Sequence, residues 1–199
     1  MPRVLLALLV AAAGGLASAQ PPNDKTDPQS KFEPRSKPGE GQAFLARMAG
    51  DWDVVKTFHL KAGEPTKTLG TCKQTMTQEG RFLQSDFVFD GPAGKTTGTG
   101  LIGYEPETGK FTSVWIDSRQ ARMSFRQGEE KFDGKTVRLV GRNLGEAPKD
   151  GGRISRTTTT LDADGSRIVH RQVSVEPDGT ERLVMQLVLN RRAGGKAGQ

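Results

Sequence analysis

The sequence predicts an all-β domain, an antiparallel up-and-down β-barrel of about ten strands with one short N-terminal helix. Three observations carry this. Turn chemistry recurs about every ten residues from Trp52 to Asn190, the runs between turns are rich in β-branched and aromatic residues, and apolar side chains in those runs alternate with polar ones. Such a sheet has one apolar face to cover, and closing it on itself buries that face and removes both unpaired edges. A chain of 199 residues has room for one such domain. A body of about 150 residues buries roughly 70% of the surface its unfolded chain exposes.

Residues 1–19 read MPRVLLALLVAAAGGLASA, with Arg3, an apolar run from Val4 to Ala13, and then Ala17-Ser18-Ala19. This is the layout of a secretory signal cleaved before Gln20. Its apolar core is too short to span a bilayer, and no later stretch predicts a membrane span. A periplasmic or secreted product is therefore expected. Residues 20–39 hold Pro21, Pro22, Pro28, Pro34 and Pro38 among polar residues and predict a disordered tether. Phe44, Leu45 and Met48 then fall at helical spacing, with Gly50 ending the run.

Strands follow at 52–60, 66–78, 81–89, 95–104, 110–117, 121–127, 136–142, 153–161, 167–175 and 181–190. The clearest joint is Glu105-Pro106-Glu107-Thr108-Gly109: proline presets an early turn position, and Gly109 can supply the positive φ that closes the loop. Asp133-Gly134, Asp164-Gly165 and Pro177-Asp178-Gly179 are hairpin joints of the same kind. The barrel domain spans 40–192, and 193–199 is a disordered tail.

Strand side chains alternate between faces. On that rule Trp52, Val54, Lys56, Phe58 and Leu60 share a face, as do Phe111 with Trp115, Met123 with Phe125, and Val137 with Leu139. Val169, Val173 and Val175 form another such set, and Leu183, Met185, Leu187 and Leu189 another. These sets are assigned to the interior. The candidate ligand-lining residues are Trp52, Phe58, Phe87 and Trp115, together with Met123, Phe125, Leu183 and Met185.

Met48-Ala49-Gly50-Asp51-Trp52, Gly80-Arg81-Phe82-Leu83, and Gly98-x-Gly100-Leu101-Ile102-Gly103-Tyr104 running on to Trp115-Ile116-Asp117 resemble the bacterial family called domain of unknown function 1579. The resemblance covers residues 44–191. It implies a lipocalin-like (calycin) barrel, in which a Gly-x-Trp opens the first strand and a basic residue after the last strand covers the tryptophan. Gly50-Asp51-Trp52 matches the first element, and Arg191 or Arg192 would be the second. The resemblance implies no activity.

The remaining motifs bound the function. Gly98-Thr99-Gly100-Leu101-Ile102-Gly103 spells a dinucleotide fingerprint, but a turn follows where the helix should be, so the glycines are read as permitting curvature or close packing. No G-x-S-x-G or H-E-x-x-H is present, so no enzyme activity is expected. Asp86 and Asp117 could meet as an acid/base pair, although strand carboxylates are more often paired with arginine or solvated. Arg122 and Arg126 share a face and could clamp a carboxylate, against the more ordinary reading of an exterior basic stripe.

His59 and His170 are the only histidines. Barrels of similar outline can hold haem through one histidine of a late strand, but alternation with Val169 and Arg171 puts His170 on the polar face. Neither histidine has a zinc partner pattern, and no metal or cofactor is expected. Cys72, the only cysteine, reads as an inert strand thiol. The formal charge of +6 comes from arginines spread over successive strands without an aromatic stacking row, which argues against nucleic acid. The leading reading is a barrel that holds a small apolar or amphiphilic molecule. The alternatives are a closed-core interaction module, able to form a homodimer through an outer face, and a haem-binding barrel.

Overall fold

The structure, a computed structural model, describes residues 36–59, 61–142 and 154–193. Most of the expected signal-and-tether segment, Leu60 and the tail from 194 onward lie outside the described residues. Helix α1 (Glu40–Met48) is followed by β1 (Gly50–Phe58), β2 (Thr66–Thr77), β3 (Phe82–Gly91), β4 (Gly94–Glu105) and β5 (Lys110–Asp117). The chain continues through β6 (Gln120–Gln127), β7 (Thr136–Arg142), β8 (Ile154–Leu161), β9 (Arg167–Val175) and β10 (Glu181–Arg191). Each strand pairs antiparallel with the next, and β1 pairs with β10 to close the barrel. No helix among the described residues is long and apolar enough to cross a membrane.

Turn chemistry explains why the meander reverses where it does. Gly109 has φ of 70° and donates its N–H to Glu105 O at 2.8 Å, closing the β4–β5 joint. Asp133, Asp164 and Asp178 each accept a backbone N–H two residues on, at 2.8, 3.0 and 2.9 Å, fixing three more turns through their own side chains. The β7–β8 register runs from Thr136↔Thr160 to Arg142↔Ile154.

Helix α1 lies at the end of the barrel where β1 begins. Phe44, Leu45 and Met48 are buried as the helical spacing predicts. Phe44, Tyr104, Phe111 and Phe132 form an aromatic cluster with ring centroids 4.9 to 6.2 Å apart, tying the helix to the β4–β5 hairpin. Gln42 adds a long-range hydrogen bond, its Nε2 donating to Tyr104 O at 2.8 Å.

Trp52 is completely buried beside this plug, and its Nε1 donates to Met48 O at 3.0 Å. Arg191 is paired with Trp52 in the β1–β10 register, and its guanidinium carbon lies 4.2 Å from the centre of the indole. The same guanidinium donates to Ala49 O (2.8 Å), Arg47 O (2.7 Å) and Gly165 O (2.8 Å). Arg191 is therefore the covering residue. Arg192 points away and pairs with Asp53 at 2.7 Å. Gly50 is required here, because its φ is 141° and a Cβ would collide with the Arg191 guanidinium.

Side chains alternate between faces along the strands except at bulges, and the choice of inner face needs correction on two strands and part of a third. Met123 and Phe125 of β6 are 65% and 40% exposed, while their neighbours Ser124 and Arg126 line the interior. In β9, Ile168 and Ser174 are buried and His170 and Gln172 face inward, which turns Val169, Val173 and Val175 out. Alternation supplies a period and no sign, so a strand with a polar inner face is read backwards. In β10 a bulge between Leu183 and Met185 shifts the register: Leu183 pairs with Val173 on the outer face, while Met185 pairs with inward Gln172.

Candidate functional site

The barrel encloses a cavity of about 410 Å³, within the size range of small-molecule sites. Its apolar lining comes from Leu83, Val137, Leu139, Ile168, Leu187 and Leu189, with Met48 of the helix beneath. Phe58, Phe87, Trp115 and Met185, four of the eight sequence-predicted lining residues, are on its wall. Trp52 lies in the packed core below it, and Met123, Phe125 and Leu183 face outward.

An aromatic wall forms along one side. Phe87 meets Trp115 edge-on with centroids 5.6 Å apart and stacks on Phe89 at 5.7 Å. The Trp115 ring lies across Gly98, where any Cβ would overlap it, and rests 3.4 Å from the position a Cβ on Gly100 would take. The glycine run that spells a nucleotide fingerprint thus clears space for an indole.

Polar groups converge on the same space. Lys56 is only 8% exposed, with Nζ 3.7 Å from the centre of Phe89 and 5.5 Å from Phe58, a cation–π contact in a desolvated setting. Burial lowers its pKa, the nearby Arg119 lowers it further, and Asp117 partly opposes both. The Asp117 side chain is 3% exposed. It accepts Arg119 Nη2 (2.8 Å) and Trp115 Nε1 (3.0 Å) on Oδ2, and Arg119 Nε (3.1 Å) and backbone N–H (2.9 Å) on Oδ1. The Arg119 bonds hold the Asp117 carboxyl well below the usual carboxylate range. Asp86, the other carboxylate of the expected acid/base pair, instead accepts Gln84 and Thr99 at an exposed position.

Arg126 reaches inward from β6 over Gly141, its partner on β7, and a Cβ there would sit 3.0 Å from Arg126 Cγ. Burial lowers its pKa. His170 also lines the cavity, with Nδ1 2.8 Å from Thr159 Oγ1. Burial, and then the charge of Arg126, push its pKa down to about 4, so the ring is neutral at pH 7. Gln74 donates to Ser85 Oγ at 3.0 Å, leaving its buried Oε1 without a protein donor among the described residues. Cys72 is buried, and burial raises its thiol pKa, which makes it inert.

Sequence reasoning put His170 on the polar face and favoured an exterior stripe for Arg126 over its carboxylate-clamp alternative, whereas both residues face inward. One available signal was the run Gln120–Gln127, whose polar members outnumber its apolar ones and whose even-numbered positions hold Arg122, Ser124 and Arg126.

The sequence profile of the family described as "Protein of unknown function (DUF1579)" matches residues 37–191. No curated protein matches the chain. Among solved structures, Rv2717c from M. tuberculosis superposes with a TM-score of 0.56 at 17% identity, covering 79% of this chain and all of that one. The S-type phycobiliprotein lyase CPES from Guillardia theta gives 0.50 at 13% identity, covering 83% of this chain and 98% of that one. These likenesses show a shared lipocalin-like barrel fold.

Proposed function

The chain belongs to the DUF1579 family of proteins of unknown function, and we propose that it is an exported, non-enzymatic carrier that holds a small amphiphilic molecule inside the barrel. The observation that carries this is the cavity of about 410 Å³, whose lining sets apolar Phe58, Phe87, Trp115 and Leu187 beside many polar side chains, Lys56, Arg126 and His170 among them. A structural barrel of this size gains stability by filling its interior, since an apolar void forfeits contacts on every side. The test is titration with the neutral, apolar fluorophore N-phenyl-1-naphthylamine. Saturable one-to-one binding is expected, and it should be lost in Ser124→Trp, which places an indole in the cavity opposite Trp115. Absence of saturable binding, or binding unchanged in Ser124→Trp, would overturn the carrier reading.

Export rests on residues 1–19 and predicts a mature N-terminus at Gln20. Mass spectrometry of the periplasmic fraction tests it, and an intact chain confined to the cytoplasm would refute it. A second reading, haem binding, is favoured by one observation: His170 faces the cavity as a neutral ring, with Nδ1 engaged by Thr159 and Nε2 without a protein partner among the described residues. A Soret band that forms with added haemin and disappears in His170→Ala would select it over the carrier of a flexible amphiphile.

A further inference from the structure

The cavity wall is electrically unbalanced. Among the described residues, three cations, Lys56, Arg119 and Arg126, line it together with one carboxylate, Asp117. Arg119 occupies Asp117 through both oxygens. Among the described residues, neither Lys56 nor Arg126 has a carboxylate within ion-pair distance, whereas the partly buried Arg182 has Glu176 at 3.5 Å. Desolvating a cation costs several kcal/mol unless an anion or a set of acceptors compensates. Arg191, at the closed end, shows the compensated arrangement with its three carbonyls.

The two uncompensated cations face the same cavity from opposite walls, Lys56 on β1 and Arg126 on β6, five strands apart in the closed strand order. Lys56, Leu187, His170 and Thr159 form one row across four neighbouring strands, so Lys56 and His170 are two strand spacings apart, roughly 10 Å. Arg126 projects into the same space from across the barrel, over Gly141 of β7. Away from this row, towards the helix, the lining becomes aliphatic with Ile168, Leu189 and Met48.

Building on the carrier reading, we propose that the ligand is an amphiphile with an anionic head, a carboxylate or a phosphate. Lys56 and Arg126 hold the negative charge, and the apolar tail runs towards Ile168 and Leu189. The positive charges left open inside the barrel are then completed by the ligand, and the Phe89 ring, with Phe58 nearby, holds the ammonium in place to receive it.

The test displaces N-phenyl-1-naphthylamine with dodecanoate, dodecyl phosphate and dodecanol, which share one tail. In the wild type, at least one of the two anions should bind at least tenfold tighter than dodecanol, about 1.4 kcal/mol. Whichever anion binds tighter identifies the head. Lys56→Met and Arg126→Met should each remove most of that preference while leaving dodecanol within about threefold, with unchanged circular dichroism verifying the fold. Arg126→Gln substitutes where the methionine variant fails to fold. Equal binding of the alcohol and both anions by the wild type, or a preference that survives in the double variant, would overturn the anionic-head proposal and leave the carrier reading standing. Displacement by none of the three would overturn both.

Discussion

Among the described residues, two cations of the barrel lie on aromatic rings. At the closed end Arg191 covers Trp52 at 4.2 Å, and in the cavity Lys56 covers Phe89 at 3.7 Å. The remainder of each charge meets something different. Arg191 spends its N–H groups on the carbonyls of Ala49, Arg47 and Gly165, joining the helix, the β1 entry and the β8–β9 turn in one contact. Lys56 has ring faces and open cavity. The same residue class on the same kind of ring is a structural clasp in one place and an unfilled valence in the other. Satisfaction of the polar atoms separates them, and burial alone would not.

That contrast can be broken or sharpened by substitution. The largest effect belongs to the closed end: Trp52→Ala removes a fully buried indole and should lower stability by about 3 to 5 kcal/mol. Urea denaturation measures it, and a loss under about 1 kcal/mol would show that Trp52 does not anchor the core.

A smaller, pH-dependent effect belongs to the cavity. The folded-state pKa of His170 is about 4 against an ordinary value of 6.5, so the unfolded chain binds the proton first as pH falls. Stability is fully present above pH 6.5 and is lost progressively down to about pH 4, by up to about 3 kcal/mol. His170→Gln should flatten this slope between pH 6.5 and 4, read from melting temperature against pH. A wild-type slope that persists in the variant would place the titration elsewhere. The Asp117–Arg119 pair contributes in a different window: its depressed pKa means its stabilisation is lost only below about pH 3.8.

Next comes Arg191→Met, which keeps an apolar stem over Trp52 but strands three carbonyl acceptors, for a cost of about 2 kcal/mol. Affinity for N-phenyl-1-naphthylamine in the folded fraction should not change, since Arg191 does not line the cavity. A variant that unfolds normally yet loses the probe would erase the distinction between the two ends.

The sequence made the frame legible and hid the lining. Helix α1 and all ten strands follow from helical spacing, period-two runs and turn residues, because those signals are local. The Gly50-x-Trp52 entry with a basic cover at the end of β10 could be anticipated because it repeats a known pattern of residues. The polar side of the cavity could not. Met123 and Phe125 look like core and face out, while Arg126 and His170 look like surface and face in. Only pairing to Ser113, Gly141 and Thr159 fixes which way β6 and β9 turn, and that is long-range information. The bulge that displaces Leu183 is equally silent, since no glycine or proline marks it.

The most direct test is equilibrium unfolding of ligand-free Lys56→Met. If Lys56 is held for a ligand, exchanging its desolvated ammonium for a thioether that still packs on Phe89 should leave the unfolding midpoint unchanged or raise it. A loss of more than about 2 kcal/mol would mean that Lys56, like Arg191, is part of the clasp, and the contrast between the two ends would fall.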